Sequence, residues 1–395
     1  MPRRRSSEGG MAAHESAAAV TLVLGAGVSH GLAPDWNAFT EDVERACGVE
    51  PGAAASGAPN QNQARLELAW RQLRERLLQA PPPDATVSAA MPVGWRMTAL
   101  EAAIEGRWVE LMREALYANR EHPFARARVG PRRAAAPPAT LGSLVRWLTR
   151  DDNTVVQRVV TFNADDWLEY ALARQLGPEG FRRRFRVVSQ PTAGVDALSL
   201  EADAGGELLS QRKVPIVHAH GLLCHPAEGR AGTATYATPN RAGRRPSLDA
   251  PNALVFRDLD YWRMTATPAS FANQMVLAAL STSRCVFVGL SMRDLNLLRW
   301  LGTIAAEHEA AWRERWLVHF RAGDESLAAA RAWRGRGPRH LWLEGAPDPV
   351  LRRLLSHRGI EALPTDWRAT SGPTCVDARL EALLHARPAA RAVRR

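Results

Sequence analysis

Polar residues that can do chemistry follow two separate apolar runs of the sequence. His218, His220 and Gly221 end one run, and Asn163 and Asp165 follow another. A neutral imidazole near pH 7 suits a general base, while an amide and a carboxylate can orient water and stabilise positive charge. From the sequence alone, each histidine can be either a general base or a structural residue. Asn163 and Asp165 can likewise be no more than caps of the helix that follows them.

Two glycine turns predict a dinucleotide site. The first, Gly25-Ala26-Gly27-Val28-Ser29, follows a strand-sized apolar run at residues 18–24. Glycines let the backbone approach a pyrophosphate, and a helix that follows the turn offers its free N–H groups. The second turn is at Gly289, where Ser291 and Asp294 either bind ribose hydroxyls or cap the next helix. Two such turns at the ends of parallel strands can hold both halves of a dinucleotide.

The elements that must position these residues alternate between strands and helices, which predicts an α/β fold with a mostly parallel sheet covered on both faces. Helical spacing of apolar residues predicts helices over residues 36–47, 63–78, 97–117 and 144–148. Strands are predicted at residues 155–162, 185–189, 214–219, 254–256, 284–290 and 316–320, with one more edge strand at 339–343. The domain organisation that we expect is a basic flexible leader (1–16), a Rossmann-like domain (17–345) with a helical insertion (46–140), and a helical and basic C-terminal extension (346–395).

Composition excludes several other classes of protein. The apolar runs are strand-sized, so we expect no membrane span and a cytoplasmic protein. Cys47, Cys224, Cys285 and Cys375 are too far apart for a thiolate zinc site or a disulfide framework, and we expect no metal.

The net charge of +10 invites a nucleic-acid partner, but Lys213 is the only lysine, as in chains from GC-rich genomes. The arginine clusters near residues 182–186, 241–245 and 391–395 lack interleaved aromatics. A solvated surface is therefore favoured over a nucleic-acid interface.

Four motifs in this order resemble those of the sirtuin fold, and more narrowly those of the SIR2-like domain of bacterial anti-phage defence proteins. They are Gly25-Ala26-Gly27-Val28-Ser29, Thr161-x-Asn163-x-Asp165, His220-Gly221 and Gly289-Leu290-Ser291. The Pro34-Asp35-Trp36 step after the first turn and the Asp260-Tyr261 pair are similar to segments of the same family. The resemblance covers residues 17–320.

The resemblance implies a role for each matched residue. Asn163 would place a water molecule, Asp165 would stabilise positive charge, and His220 would be the catalytic base. The residues that would bind NAD are Gly25, Ala26, Gly27 and Ser29 at the pyrophosphate, Ser291 on the adenosine side, and Thr161, Gly289 and Asp294. Sirtuin deacylases carry a zinc module of paired cysteines between the last two motifs, and this chain has none.

The resemblance therefore implies an NAD⁺ glycohydrolase that releases nicotinamide and ADP-ribose and depletes NAD as an anti-phage effector. It needs no cofactor beyond NAD as substrate, and the partner that we expect is a second copy of the chain or a defence-system protein. Two alternatives stay open: a non-catalytic NAD or ADP-ribose sensor or scaffold, and an ADP-ribosyltransferase.

Overall fold

The computed structural model describes sixteen segments of the chain. They are residues 20–51, 61–80, 92–117, 139–151, 153, 155–189, 213–224, 254–267, 270–290, 292, 294, 296–307, 340–344, 349–357, 360–365 and 375–385. The predicted leader, the predicted strand at 316–320 and the arginine clusters at 241–245 and 391–395 lie outside these residues.

The described residues form a seven-stranded sheet in which every pair of neighbouring strands is parallel. In chain order the strands are β1 (Val20–Leu24), β2 (Val156–Thr161), β3 (Phe185–Val188), β4 (Val214–His218), β5 (Arg284–Val288), β6 (His340–Glu344) and β7 (Ile360–Pro364). Their order across the sheet is β3-β4-β2-β1-β5-β6-β7. The predicted Rossmann-like α/β fold is confirmed. The order places β1 between β2 and β5, so the topological switch point lies at β1, where open α/β sheets bind ligands.

Ten helices flank the sheet among the described residues. They are α1 (Trp36–Cys47), α2 (Gln61–Gln79), α3 (Val93–Tyr117), α4 (Ala139–Thr149), α5 (Trp167–Arg184), α6 (Asp258–Ala266), α7 (Phe271–Thr282), α8 (296–307), α9 (Pro349–His357) and α10 (Val376–His385). In α5, the positive φ of 72° at Gly177 and the following Pro178 break the helix. Within these ranges no helix has both the length and the apolar composition to cross a membrane.

Alternate residues of the central strands are buried on opposite faces of the sheet. Leu22 and Val286 belong to one apolar cluster, and Val23 and Phe287 belong to a second cluster on the other face. Because both faces are covered, these strands read as continuous apolar runs instead of alternating ones.

Two predicted strands differ from the structure, and one strand was not predicted. Residues 254–256 run without regular strand pairing, although the Val255 N–H donates to the His220 carbonyl at 2.9 Å. The strand predicted at 339–343 is present as β6, but it is not the edge of the sheet because β7 pairs with it. β7 itself lies in the segment that we expect to be a helical extension, and it was missed because it is only five residues long and includes Glu361 and Pro364.

Helices α2 and α3, which lie in the predicted insertion and are called the helical insertion below, pack on α1 and the adjoining core. Trp70 of α2 and Trp108 of α3 meet edge to face, with ring centroids 5.6 Å apart. The Arg65 guanidinium donates to both carboxylate oxygens of Glu44, at 2.9 and 2.5 Å, and both side chains are buried. This ion pair fixes α2 against α1.

We expect Arg65→Met to lower the free energy of unfolding by about 3–5 kcal/mol, because it leaves the Glu44 carboxylate buried without the guanidinium. Chemical denaturation at pH 7 measures the loss. The matched control is Arg107→Met, which removes an exposed pair to Glu110 at 3.0 Å and should cost less than about 1 kcal/mol. Equal, small losses in both variants would contradict the role of the buried pair.

Candidate active site

Four predicted motifs meet at the carboxyl edge of the sheet, where β4, β2, β1 and β5 end side by side. Backbone hydrogen bonds continue past the strand ends. Phe162 N–H donates to the Leu24 carbonyl at 3.0 Å, and Ala219 N–H donates to the Thr161 carbonyl at 2.9 Å. The segments that carry the candidate residues are therefore tied to one another at the switch point.

The two glycine turns pack directly against each other. Gly25 N–H donates to the Val288 carbonyl at 3.0 Å, and Gly27 N–H donates to the Gly289 carbonyl at 2.9 Å. A Cβ on Gly27 would lie 2.8 Å from the Gly289 Cα, and a Cβ on Gly289 would lie 2.6 Å from the Val28 nitrogen. Gly289 also has a positive φ of 68°. The requirement for glycine at these positions arises from the close approach of the turns.

The first helix begins at Trp36, as predicted, and is therefore separated from the first turn. Residues Ala26–Ser29 form one 3₁₀ turn, and the next helix starts only at Trp36. Its N-terminus is capped by its own chain, since Asp35 Oδ1 accepts the N–H groups of Asn37 and Ala38 at 3.0 and 2.9 Å. The helix therefore does not present these N–H groups to a ligand at the turn. The residues of the turn that are exposed to solvent are Ala26 and Gly27.

Asn163, Asp165 and Ser29 form one hydrogen-bonded cluster. Ser29 Oγ donates to Asp165 Oδ1 at 2.9 Å, and Asn163 Nδ2 lies 3.1 Å from the Gly25 carbonyl oxygen and 3.3 Å from Ser29 Oγ. Thr161 Oγ1 accepts the Asn163 N–H at 3.0 Å. Ser29 and Thr161, both expected to bind NAD, are buried and bonded inside this cluster, so in the structure they link the first turn to β2.

Burial raises the pKa of the Asp165 carboxyl to about 6. The hydrogen bonds from Ser29 and from the Trp167 N–H oppose this rise in pKa, while the charge of Glu169 adds to it. The bond from Trp167 N–H, at 3.3 Å, shows that Asp165 also caps α5. The carboxyl is therefore both a helix cap and a carboxylate held in a buried position.

Both ring nitrogens of His218 are engaged. Its Nδ1 lies 2.9 Å from the Asn163 carbonyl oxygen, and its Nε2 lies 2.7 Å from Glu169 Oε1. Burial lowers the pKa of His218, but the charge and hydrogen bond of Glu169 outweigh burial and leave the pKa raised. A carbonyl oxygen only accepts, so Nδ1 carries a hydrogen. His218 thus fixes the Asn163 backbone and has no ring nitrogen left to accept a proton.

His220 has the opposite environment. Its Nε2 is buried, and among the residues that the structure describes it has no hydrogen-bond partner. Burial lowers the pKa of His220, and the negative charge of Asp294 opposes that effect in part. Of His218, at the end of β4, and His220, in the turn that follows, only His220 thus keeps a neutral ring with a nitrogen that can take up a proton.

Asp294 is placed by α8 and by α6. Its Oδ1 accepts the Leu297 N–H at 2.9 Å, and its Oδ2 accepts the Tyr261 hydroxyl at 3.2 Å. Of the two roles open in the sequence, the structure contains the cap, while binding of ribose by Asp294 stays a prediction. Ser291 lies outside the described residues.

Sequence reasoning missed Tyr117, at the end of α3, and Asp166. The Tyr117 hydroxyl oxygen lies 2.6 Å from the Leu223 carbonyl oxygen and 2.9 Å from Asp166 Oδ1, and it accepts the Asp166 N–H at 3.1 Å. The helical insertion therefore joins the segments that follow β2 and β4. No local signal marks Tyr117, because its partners lie 49 and 106 residues away. Glu169 was missed for the same kind of reason, since its partner His218 is 49 residues away.

The cysteines and the arginine cluster on α5 have structural surroundings. All four cysteines are buried, and within the described ranges no group of three or more metal-binding side chains is present. Arg182 pairs with Glu179, and Arg184 donates to the Thr149 carbonyl at 3.1 Å. These contacts favour a solvated protein surface at this cluster over a nucleic-acid interface.

Gly289→Ala should strongly destabilise the protein, because the added Cβ meets the first turn and the positive φ strains any other residue. We expect a loss in the free energy of unfolding above about 2 kcal/mol. Gly106→Ala is the matched control, since Gly106 lies inside α3 with open space around it and alanine should stabilise the helix by about 0.5–1 kcal/mol. Thermal and chemical unfolding compare the two, and tolerance of Gly289→Ala would contradict the packing of the turns.

Asp165→Asn should raise stability at pH 7. The pKa of the carboxyl is raised from 3.8 to about 6, so above pH 6 folding transfers an ionised carboxylate into a site that favours the protonated form. This lowers the free energy of unfolding. Because the native state binds the proton more tightly than the unfolded state, the loss of stability disappears as the pH falls from 6 towards 4. Asparagine keeps an oxygen for Ser29 and Trp167. We expect a gain of about 1–3 kcal/mol at pH 7 that shrinks towards pH 4, measured by denaturation at both pH values, and a pH-independent difference would refute it.

A comparison with protein-family models matches the SIR2-like domain over residues 157–363. The match includes β2 to β7, and with them Asn163, Asp165 and His220. No curated protein matches the chain.

Proposed function

The chain belongs to the SIR2-like family, which fits an NAD-related function, and on that premise we propose that it is an NAD⁺ glycohydrolase. The reaction is NAD⁺ plus water to nicotinamide, ADP-ribose and one proton. The C1′–N bond breaks with its electron pair going to nicotinamide, the water oxygen bonds to C1′, and the water loses a proton. No oxidant or reductant is needed.

The observation that carries the proposal is the His220 side chain. Its ring is neutral at pH 7, because burial lowers its pKa, and its buried Nε2 has no partner among the described residues. A group of this kind can accept the proton of an attacking water. In the proposed reaction His220 Nε2 takes that proton.

Asp165 and Asn163 supply charge and orientation. Cleavage of the nicotinamide–ribose bond develops positive charge on the ribose, and a carboxylate in a site of low dielectric stabilises that charge without reorganising. With a pKa of about 6, Asp165 is mostly ionised at neutral pH. The backbone of Asn163 is held by His218 and Thr161, and its Nδ2 lies 3.1 Å from the Gly25 carbonyl oxygen. The side-chain amide is thus fixed at the point where, in our proposal, it places the water.

The glycine turns are the proposed binding site for the rest of NAD. They lie at the switch point of the sheet, and Ala26 and Gly27 are exposed there. In our proposal the exposed residues of the first turn bind the pyrophosphate, and the buried residues Gly25 and Ser29 support them. Gly289 in the second turn and Asp294 after it contribute to the same proposed binding site.

The biological role that we propose is depletion of NAD as an anti-phage effector in the cytoplasm. Its support is the resemblance of the four motifs in the sequence. Because uncontrolled loss of NAD is lethal, we also propose that a second copy of the chain or a defence-system partner controls the activity.

We expect Asn163→Ala and His220→Ala each to reduce nicotinamide release from NAD by at least a hundredfold. The measurement is chromatography of the products of purified protein incubated with NAD, and circular dichroism shows that the variants are folded. The matched control is Asn153→Ala. Asn153 caps the end of α4 by donating to the Trp147 carbonyl at 2.8 Å and lies before β2, so its loss should leave the activity unchanged.

Undiminished release by both variants would refute the proposal. ADP-ribose found attached to protein would instead identify a transferase, and tight binding of NAD without any nicotinamide would identify a sensor. Both results would also contradict a glycohydrolase.

A further inference from the structure

The imidazole of His220 lies between two aromatic rings. The Phe162 ring contacts it with centroids 5.0 Å apart, and the Tyr261 ring contacts it with centroids 5.3 Å apart, both edge to face. Phe162 follows β2 beside Asn163, whereas Tyr261 comes from α6, 41 residues after His220. The ring orientation of His220 therefore depends on where α6 sits.

The hydroxyl of Tyr261 is held from two sides. It donates to Asp294 Oδ2 at 3.2 Å, and the side chain of Gln63 hydrogen-bonds to it from α2. Asp294 is itself fixed by capping α8 through the Leu297 N–H. The ring of Tyr261 thus cannot turn away from His220 without losing these bonds.

The first turn of α6 is anchored by the helical insertion. The Arg257 guanidinium is buried and donates to both oxygens of Asp260, at 2.9 and 2.8 Å. It lies over the Trp70 ring, 4.6 Å from the centroid, and 3.4 Å from Glu105 Oε1. Two helices of the insertion therefore fix the segment that carries Tyr261.

We propose that Tyr261 is the positioning residue of His220, and that Gln63 of the helical insertion and Asp294 hold it in place. The proposal rests on the proposed function, in which His220 is the base. It gives the helical insertion a definite part in the site, because α2 reaches the aromatic ring that orients His220.

The charges around His220 agree with this arrangement. Asp294 is the carboxylate whose charge acts on His220, and it opposes the effect of burial on the pKa of His220. Phe162 and Tyr261 contribute uncharged rings. Arg299 and Asp260 lie one step further out, where they act on Asp294 and Tyr261 respectively. An imidazolium formed at His220 is therefore stabilised chiefly by Asp294.

Tyr261→Phe tests the positioning role, because it removes the hydroxyl and keeps the ring. We expect kcat for nicotinamide release to fall on the order of tenfold to a hundredfold, with KM changed less than about twofold. Gln63→Ala should lower kcat in the same direction but less, since Tyr261 keeps its bond to Asp294. Asp258→Asn is the matched control on α6. Asp258 bonds the exposed Trp262, and its substitution should leave kcat unchanged.

Asp294→Asn provides a readout that needs no turnover. Asparagine keeps the cap of α8 through its oxygen, and its Nδ2 can donate to the Tyr261 hydroxyl where Asp294 Oδ2 accepts from it, but it removes the charge. The His220 titration, followed by NMR of histidine-labelled protein and identified by its absence in His220→Ala, should move to lower pH by about half a pH unit or more. The control Asp258→Asn should leave that titration in place.

An unchanged kcat in Tyr261→Phe, or an unchanged His220 titration in Asp294→Asn, overturns the proposal. If the protein does not cleave NAD but the titration moves as expected, the proposed function fails while the placement of His220 beside Asp294 stands. The two failures are thereby distinguished.

Discussion

The contact between the two glycine turns is the constraint on which the rest of the site depends. Gly27 N–H reaches the Gly289 carbonyl, and no side chain separates the two turns. This contact sets how closely β1 and β5 end beside each other at the switch point. Ser29 leaves the same turn to meet Asp165, and Asp294 follows the other turn towards Tyr261. A displacement of either turn would therefore disturb both sides of the site.

Around that contact the fold buries polar groups that cost stability unless they are paired. Tyr117 joins Asp166 to the segment after β4, and Asp165 accepts bonds from Ser29 and Trp167. Some buried atoms have no hydrogen-bond partner among the described residues, and at this edge of the sheet they include His220 Nε2 and Glu169 Oε2. Buried groups with unmet hydrogen bonds are tolerated where a protein needs a reactive group.

Local signals carried most of what the sequence could predict. The bounds of α1 were predicted correctly, because Asp35 caps its start and Gly48 ends it with a positive φ of 76°. The meeting of Asn163, Asp165 and His220 at one edge followed from the parallel topology. What was missed depends on partners distant in the chain: the Tyr261–Asp294 bond and the pairing of β6 with β7. No local pattern encodes such contacts.

The His218–Glu169 pair has a consequence for how the family can change. Both side chains are buried, and His218 Nε2 lies 2.7 Å from Glu169 Oε1, so the two ionisable groups are removed from water together. Loss of either partner alone would leave a buried ionisable group without the other, whereas exchange of both for apolar residues avoids that cost. Substitutions at the two positions are therefore energetically coupled, and we expect relatives either to keep both side chains or to have replaced both.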